Sequence, residues 1–378
     1  MTVRRLLLGT TALVGAGVVW AGAPSVAAAE VLPGGALNIT LSGFGRFRVH
    51  GGQLDNQYNN GHVPGVAPGL TTGVDFSNDY EFHVLIGGRH DATGIEYGAH
   101  MEFEGDTNHN ENTDEEWLWL RGGFGEFRFG DEDGVVDSDS IGAYTIAANT
   151  GGIDGDVINQ LEISTVRPSN TADSTKVIYH TPSFGGLRVG VSFTPNNAVL
   201  NDGAGNGDSI ALRNVAVSDE VEGSVAYKGD FAGFGVQASV VGSWGHVATP
   251  ALVRGPGSDN DTFWTYYGGV ATTIFGFKVA GGAGNENVGG LKHSYANAGV
   301  GASYGPVNVS LSAGKVFDSS GYVADKPWLA VLGADVGLMP GLVLGGELAY
   351  FDNDLPRAAI TSGDDKGWSW LADLRLAF

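Results

Sequence analysis

Between residues 131 and 174 the chain carries nine carboxylates: Asp131, Glu132, Asp133, Asp137, Asp139, Asp154, Asp156, Glu162 and Asp173. One base, Arg167, stands against them. The aspartate pairs at 131/133, 137/139 and 154/156 have a spacing that suits hard oxygen ligation of calcium. None completes the EF-hand loop with its terminal Glu. Loose calcium binding by acidic loops is therefore an expectation, and no dedicated cofactor site is expected. The same stretch holds Ile141, Tyr144, Ile146, Ile153, Val157, Ile158 and Leu161. A purely solvated loop has no use for these apolar side chains, whereas a loop folded inward against a wall does. Its carboxylates would then set a fixed negative field in a confined space.

Other chemistries find little support. The chain has no Cys, which removes disulfides, zinc-thiolate sites, iron–sulfur clusters and Cys nucleophiles together. A net charge of −22 leaves no basic field for phosphate, so no nucleic-acid partner is expected. The nine His are scattered without metal-site spacing. Residues 301–305, Gly-Ala-Ser-Tyr-Gly, match the nucleophile-elbow pattern, but that motif needs a strand-to-helix turn. Here Pro306 and another alternating run follow. No catalytic residue is assigned.

The elements that must position the acidic loop are strands. In the last eleven residues Trp368, Trp370, Ala372, Leu374, Leu376 and Phe378 alternate with Ser369, Leu371, Asp373, Arg375 and Ala377. Period 2 makes one face greasy and the other wet. Similar runs recur near 36–50, 76–88, 95–103, 117–120, 124–130, 177–180, 187–193, 221–227, 234–244, 263–272, 276–284, 294–304, 307–316, 327–337 and 342–351. The run at Trp117 and Trp119 has no assignable face, because Leu118 and Leu120 are apolar too. With the terminal run the total is sixteen.

Connections alternate in length. Short Gly/Pro turns lie near 89–94, 122–124, 182–186, 229–233, 274–276, 305–306 and 339–341. Long Asp/Asn/Gly-rich segments lie near 51–74, 105–114, 131–174, 195–219, 246–261, 285–293, 317–326 and 353–366. Both termini then fall on the short-turn side. This asymmetry, with aromatics at strand ends, predicts an all-β fold: a 16-stranded antiparallel transmembrane β-barrel with short periplasmic turns and long outer loops. A soluble β-sandwich or propeller, the alternative, would have to explain the aromatics clustered at strand ends as well as the polar residues on every opposite face. Gly, 62 of 378 residues, exceeds twice the roughly 7 % of an average protein, as many tight turns require. Mean hydropathy near zero does not argue against a barrel, which hides its apolar residues by alternation. Sixteen strands leave an aqueous channel where eight would fill their own interior.

The N-terminus reads as an export signal. Arg4 and Arg5 precede an apolar run from Leu6 to Val19, and Ala27-Ala28-Ala29 precede Glu30. Cleavage after Ala29 defines a signal peptide at 1–29 and a single barrel domain at 30–378. The mature chain then has 18 bases against 42 acids, a charge of −24.

Three motifs carry a family resemblance: Leu-Ser-Gly-Phe-Gly-Arg-Phe at 41–47, Phe-Gly-Glu-Phe-Arg-Phe-Gly-Asp-Glu-Asp-Gly at 124–134 and Tyr-His-Thr-Pro-Ser-Phe-Gly-Gly-Leu at 179–187. With the signal, the strand count, the long third outer loop and the terminal Phe378, the chain resembles the general porins of Gram-negative bacteria, of the α-proteobacterial type. The resemblance implies a homotrimer of water-filled pores in the outer membrane, open to ions and small hydrophilic solutes. It implies contact with outer-membrane lipid and lipopolysaccharide, and a terminal Phe378 read by the barrel-assembly machinery. It also implies that loop 131–174 folds inward as a constriction, with acidic loop residues Asp131, Asp133, Asp137, Asp139, Asp154 and Asp156 facing basic wall residues. The inward bases of the flanking strands are Arg46, Arg48, Arg128, Lys176, His180 and Arg188. Many relatives place an Arg where Asp131 stands, so some cation preference is expected. Two other classes remain open: a barrel enzyme, such as an outer-membrane protease or phospholipase, and a structural or adhesive surface barrel.

Overall fold

The computed structural model describes residues 37–54, 74–105, 113–149, 152–154, 166–197, 217–231, 233–247, 260–320, 326–352 and 366–378. Residues 1–29, expected to be an export signal, and Asp156 lie outside the described residues. Sixteen strands follow in chain order. The first eight are β1 (Leu37–Leu54), β2 (Val74–His90), β3 (Ile95–Glu104), β4 (Glu116–Gly122), β5 (Gly125–Asp131), β6 (Thr175–His180), β7 (Leu187–Asn197) and β8 (Val217–Phe231). The second eight are β9 (Phe234–Val247), β10 (Thr262–Ile274), β11 (Phe277–Val288), β12 (Leu291–Tyr304), β13 (Val307–Ser320), β14 (Trp328–Met339), β15 (Leu342–Asp352) and β16 (Lys366–Ala377). Between β5 and β6 lie a short helix α1 (Val135–Asp139) and two 3-10 turns, Ala143–Ile146 and Gly152–Asp154.

Each strand pairs antiparallel with its sequence neighbours, and β1 pairs with β16 to close a barrel. The closing register sets Arg46 opposite Arg375 and Arg48 opposite Asp373. Gly43 and Phe378 exchange backbone hydrogen bonds of 3.0 Å, so the last residue completes the ladder. Closure leaves no unpaired edge, the condition for a sheet to sit in hydrocarbon.

Alternation sorts the side chains as the sequence predicts. Leu41, Phe47, Val189, Val191, Phe193, Leu344 and Leu348 stand exposed on the outer face, which hydrocarbon would cover. Phe184, Phe231, Phe275 and Tyr304 crowd the short-turn end, with Phe275 and Tyr304 about 90 % exposed, as an aromatic girdle at a lipid–water boundary. The inner face carries Ser192, Thr194, Glu222, Ser224, Ser239 and Ser243. The ambiguous strand resolves as well. Leu118 is 60 % exposed and points outward, whereas Trp117 is buried on the lumen side beneath Arg128.

A sixteen-stranded barrel cannot fill itself, and its core lies where the third loop meets the wall. Val136, Ala143, Tyr144, Ile153 and Val166 of the loop cluster with Val241, Tyr267, Tyr295, Val331 and Phe351 of β9, β10, β12, β14 and β15. Each such burial contributes about 1.5–3 kcal/mol for a side chain of Val, Leu or Ile size. Gly269 marks the closest approach: a Cβ there would collide with the backbone oxygen of Ile141.

Candidate functional site

The third loop leaves β5 at Asp131 and runs along the inner wall from β7 to β15. Its backbone N–H groups cannot pair with each other in an irregular chain, so the wall must accept them. Val135 donates to Ser192 Oγ at 3.3 Å and Val136 to Glu222 Oε2 at 3.4 Å. Ile141 donates to Ser239 Oγ at 3.0 Å, Ala143 to Asn297 Oδ1 at 2.9 Å and Ala148 to Ser310 Oγ at 2.8 Å. Asn149 donates to Asp335 Oδ2 at 3.0 Å and Gly152 to Glu347 Oε1 at 3.4 Å. On the return, Ser169 donates to Glu286 and Thr171 to Glu222. This line of wall acceptors holds the loop inside the barrel and narrows the lumen. Pattern reasoning missed these acceptors, since a polar inward residue reads the same whether it meets water or a loop.

The charged residues named from the sequence fall into three groups. Asp139 is buried and receives Arg188, His180 (3.1 Å) and Ser224 from β7, β6 and β8. Burial pushes its pKa up, but the His180 hydrogen bond and the charges of His180 and Arg188 outweigh that and hold it at about 2. Asp137, also buried, pairs with the loop's own Arg167, whose guanidinium lies over Tyr144. These two aspartates therefore fasten the loop to itself and to its wall rather than standing alone across the lumen. In a chain lying flat on a wall, the charges that meet the wall are the ones that become buried.

The second group lies at the loop's root. Arg128 pairs with Glu126 at 2.7 Å and with Glu132. Lys176 is buried and donates to the backbone oxygens of Glu132 and Ala172. Glu115, Asp133 and Asp173 bring carboxylate oxygens within 4.8 Å of one another. Burial pushes Glu132 up, the Arg128 charge pulls it down and Asp133 pushes it up again, leaving a pKa of about 7. Burial and the neighbouring Glu132 charge raise Glu115 well above the carboxylate range. Asp131 closes β5 opposite Glu116 and Thr175. Asp154 lies in the second 3-10 turn.

The third group lies on β1 and β2. Arg46 Nε donates to Asp79 Oδ2 at 2.7 Å, and Arg48 Nη2 reaches the same oxygen at 3.1 Å. Asp79 of β2 carries no signal in the sequence beyond its place in an alternating run.

Residues 9–355 match the sequence model of the family described as Gram-negative porin. The chain belongs to the Gram-negative porin family. Solved structures agree at the level of fold. A mutant porin of Rh. blastica shares 16 % identity at a TM-score of 0.53, covering 90 % of this chain and 100 % of its own. The anion-selective porin from Comamonas acidovorans gives 16 % identity and 0.57 over the same shares. The outer membrane channel DcaP of Acinetobacter baumannii gives 14 % identity and 0.59, covering 93 % of this porin and 100 % of its own chain. No curated protein sequence matches it. This porin is an outer-membrane channel for passive diffusion of ions and small hydrophilic solutes, and the loop anchored along β7–β15 is the element that narrows it.

Proposed function

We propose that the pore prefers cations and that its field is set at the loop's root. One observation carries this reading: six arginines near the lumen each already meet a carboxylate. Arg46 and Arg48 share Asp79, Arg121 meets Glu96 at 2.8 Å, and Arg128 holds Glu126 and Glu132. Arg167 holds Asp137, and Arg188 holds Asp139. Asp133 and Asp173 add carboxylates to that balance, beside Glu115, which burial holds protonated. A net negative constriction between low-dielectric walls concentrates cations and repels anions. The test is the reversal potential of single channels in a KCl gradient. A cation-selective sign supports the proposal, and an anion-selective or zero potential overturns it.

The same proposal includes assembly. Three copies form the unit in the membrane, with the outer loops meeting lipopolysaccharide and Phe378 serving the assembly machinery. The closed outer surface with its exposed apolar face supports this reading. Crosslinking in outer-membrane vesicles that yields a three-chain band supports it, and a monomer-only pattern contradicts it. Poor insertion after deletion of Phe378 supports the role at the terminus; undiminished insertion contradicts it.

A further inference from the structure

The histidines look scattered in the sequence, but pairing of β2 with β3 brings two of them together. In that register His83 lies opposite Glu102, and Leu85 lies opposite His100. His83, His100 and Glu102 each offer one ligand atom, and these atoms lie within 4.8 Å of one another. His83 Nδ1 is 2.7 Å from Glu102 Oε1, and His100 Nε2 is 3.5 Å from that oxygen. Ligands about 2.0–2.2 Å from a tetrahedral metal stand about 3.4 Å apart, so the His100–Glu102 pair already fits and the His83–Glu102 pair, now hydrogen-bonded, opens slightly to admit an ion. We propose that His83, His100 and Glu102 form a binding site for a divalent first-row transition-metal ion on the inner wall of the pore.

The surroundings fit a ligand set more closely than a chance cluster. His83 turns its other nitrogen, Nε2, to Glu81 Oε2 at 3.2 Å. A carboxylate on the far nitrogen fixes a metal-binding imidazole's orientation and raises its basicity. The His83 and His100 rings stack at 5.6 Å, and His100 packs against Trp117 with ring centroids 5.0 Å apart. Both rings are thus held in place. His100 is buried, and among the described residues its Nδ1 makes no hydrogen bond. Its Nε2 faces the Glu102 carboxylate. Two imidazoles and one carboxylate suit zinc, nickel, cobalt or copper, and disfavour calcium and magnesium, which take oxygen. Three protein ligands leave coordination positions for water, so the ion exchanges with the lumen.

Position gives the site a consequence. His100 pairs across to Trp117, which lies beneath Arg128 at the root of the constriction loop. A bound dication adds positive charge beside the acidic neck and opposes cation flow. Zinc should therefore lower the single-channel current of the open pore, and a chelator should restore it.

The test uses the purified full chain in detergent micelles and zinc chloride as the probe. Isothermal titration is expected to show one zinc per chain, not displaced by excess calcium. Zinc-edge X-ray absorption is expected to show two imidazole nitrogens in the inner shell. His100→Gln should abolish that signature. Glu81→Gln, which leaves all three ligands in place, should weaken binding about 10- to 100-fold. His246→Gln, a change on β9 remote from the site, should leave binding intact. Folding of each variant is read from its conductance steps without zinc. Absent zinc binding, an all-oxygen shell, or binding unchanged in His100→Gln overturns the proposal.

Discussion

Replacing Asp139 by Asn removes a charge that fastens α1 to the wall, and the structure sets the size of the effect. The Asp139 side chain is 1 % exposed, between His180 and Arg188. Its pKa falls from 3.8 to about 2. At 1.36 kcal/mol per unit, that fall corresponds to about 2.4 kcal/mol of preference for the charged form. Arg188 is 42 % exposed, so solvent screens its share, and a working figure is about 2 kcal/mol. An energy of that size raises the population of locally opened loop about thirtyfold. Amide hydrogen exchange reads it directly. The N–H groups of Val135, Val136 and Ile141, which donate to Ser192, Glu222 and Ser239, should exchange about thirtyfold faster in Asp139→Asn. The pH dependence supplies an internal check. A carboxylate with a depressed folded pKa contributes stability that is present above its unfolded pKa and is lost as pH falls through the folded one. The wild-type loop should therefore loosen between pH 3.8 and about 2, and the variant should lack that step. Equal exchange rates in both proteins at neutral pH would refute the anchoring role.

Three further expectations follow from the same geometry. Glu132 titrates near pH 7, so the reversal potential should become more cation-selective between about pH 6 and 8, and Glu132→Gln should flatten that change. Gly269→Val drives a side chain against Ile141; overpacking of about 1–3 kcal/mol should push the loop into the lumen and lower single-channel conductance, whereas unchanged conductance counts against the close approach. Val240, 64 % exposed in the middle of β9, faces lipid, so Val240→Arg should lower the folding free energy in bilayers by about 2–4 kcal/mol by urea titration, and a neutral result would contradict its outward orientation.

The barrel was readable because two independent periodicities agree. Side chains alternate along each strand, and connections alternate between short turns and long segments. The exception is 285–293, expected to be long, where β11 and β12 continue to a two-residue turn at Gly289-Gly290 because both glycines take positive φ. Where the first signal fails, as at Trp117–Leu120, composition cannot choose a face, and the structure decides by placing Trp117 against His100 and Arg128. The seat of the loop was legible only in part. Ile141, Tyr144, Ile146 and Ile153 signalled burial, and Tyr144 and Ile153 are buried against the wall. The partners of its backbone were not legible. Ala143 and Asn297 are 154 residues apart, and nothing local marks Asn297 as an acceptor for loop backbone. The roles of Asp137 and Asp139 were also beyond reach, because a loop carboxylate facing water and one turned to the wall have the same sequence. His83 and His100 show the same limit: strand register, not spacing along the chain, makes them neighbours.

The third loop lies inside the barrel against β10–β13 while the channel stays open. A Cβ on Gly299 of β12 would lie 3.1 Å from the Ala143 Cβ, within reach of a disulfide after small adjustment. The chain has no Cys to interfere. The decisive measurement is crosslink yield in the double variant Ala143→Cys, Gly299→Cys, oxidised while it conducts in a planar bilayer or vesicle. Near-complete crosslinking with stepwise ion conductance retained is the expected result. Free thiols in a conducting protein would contradict it.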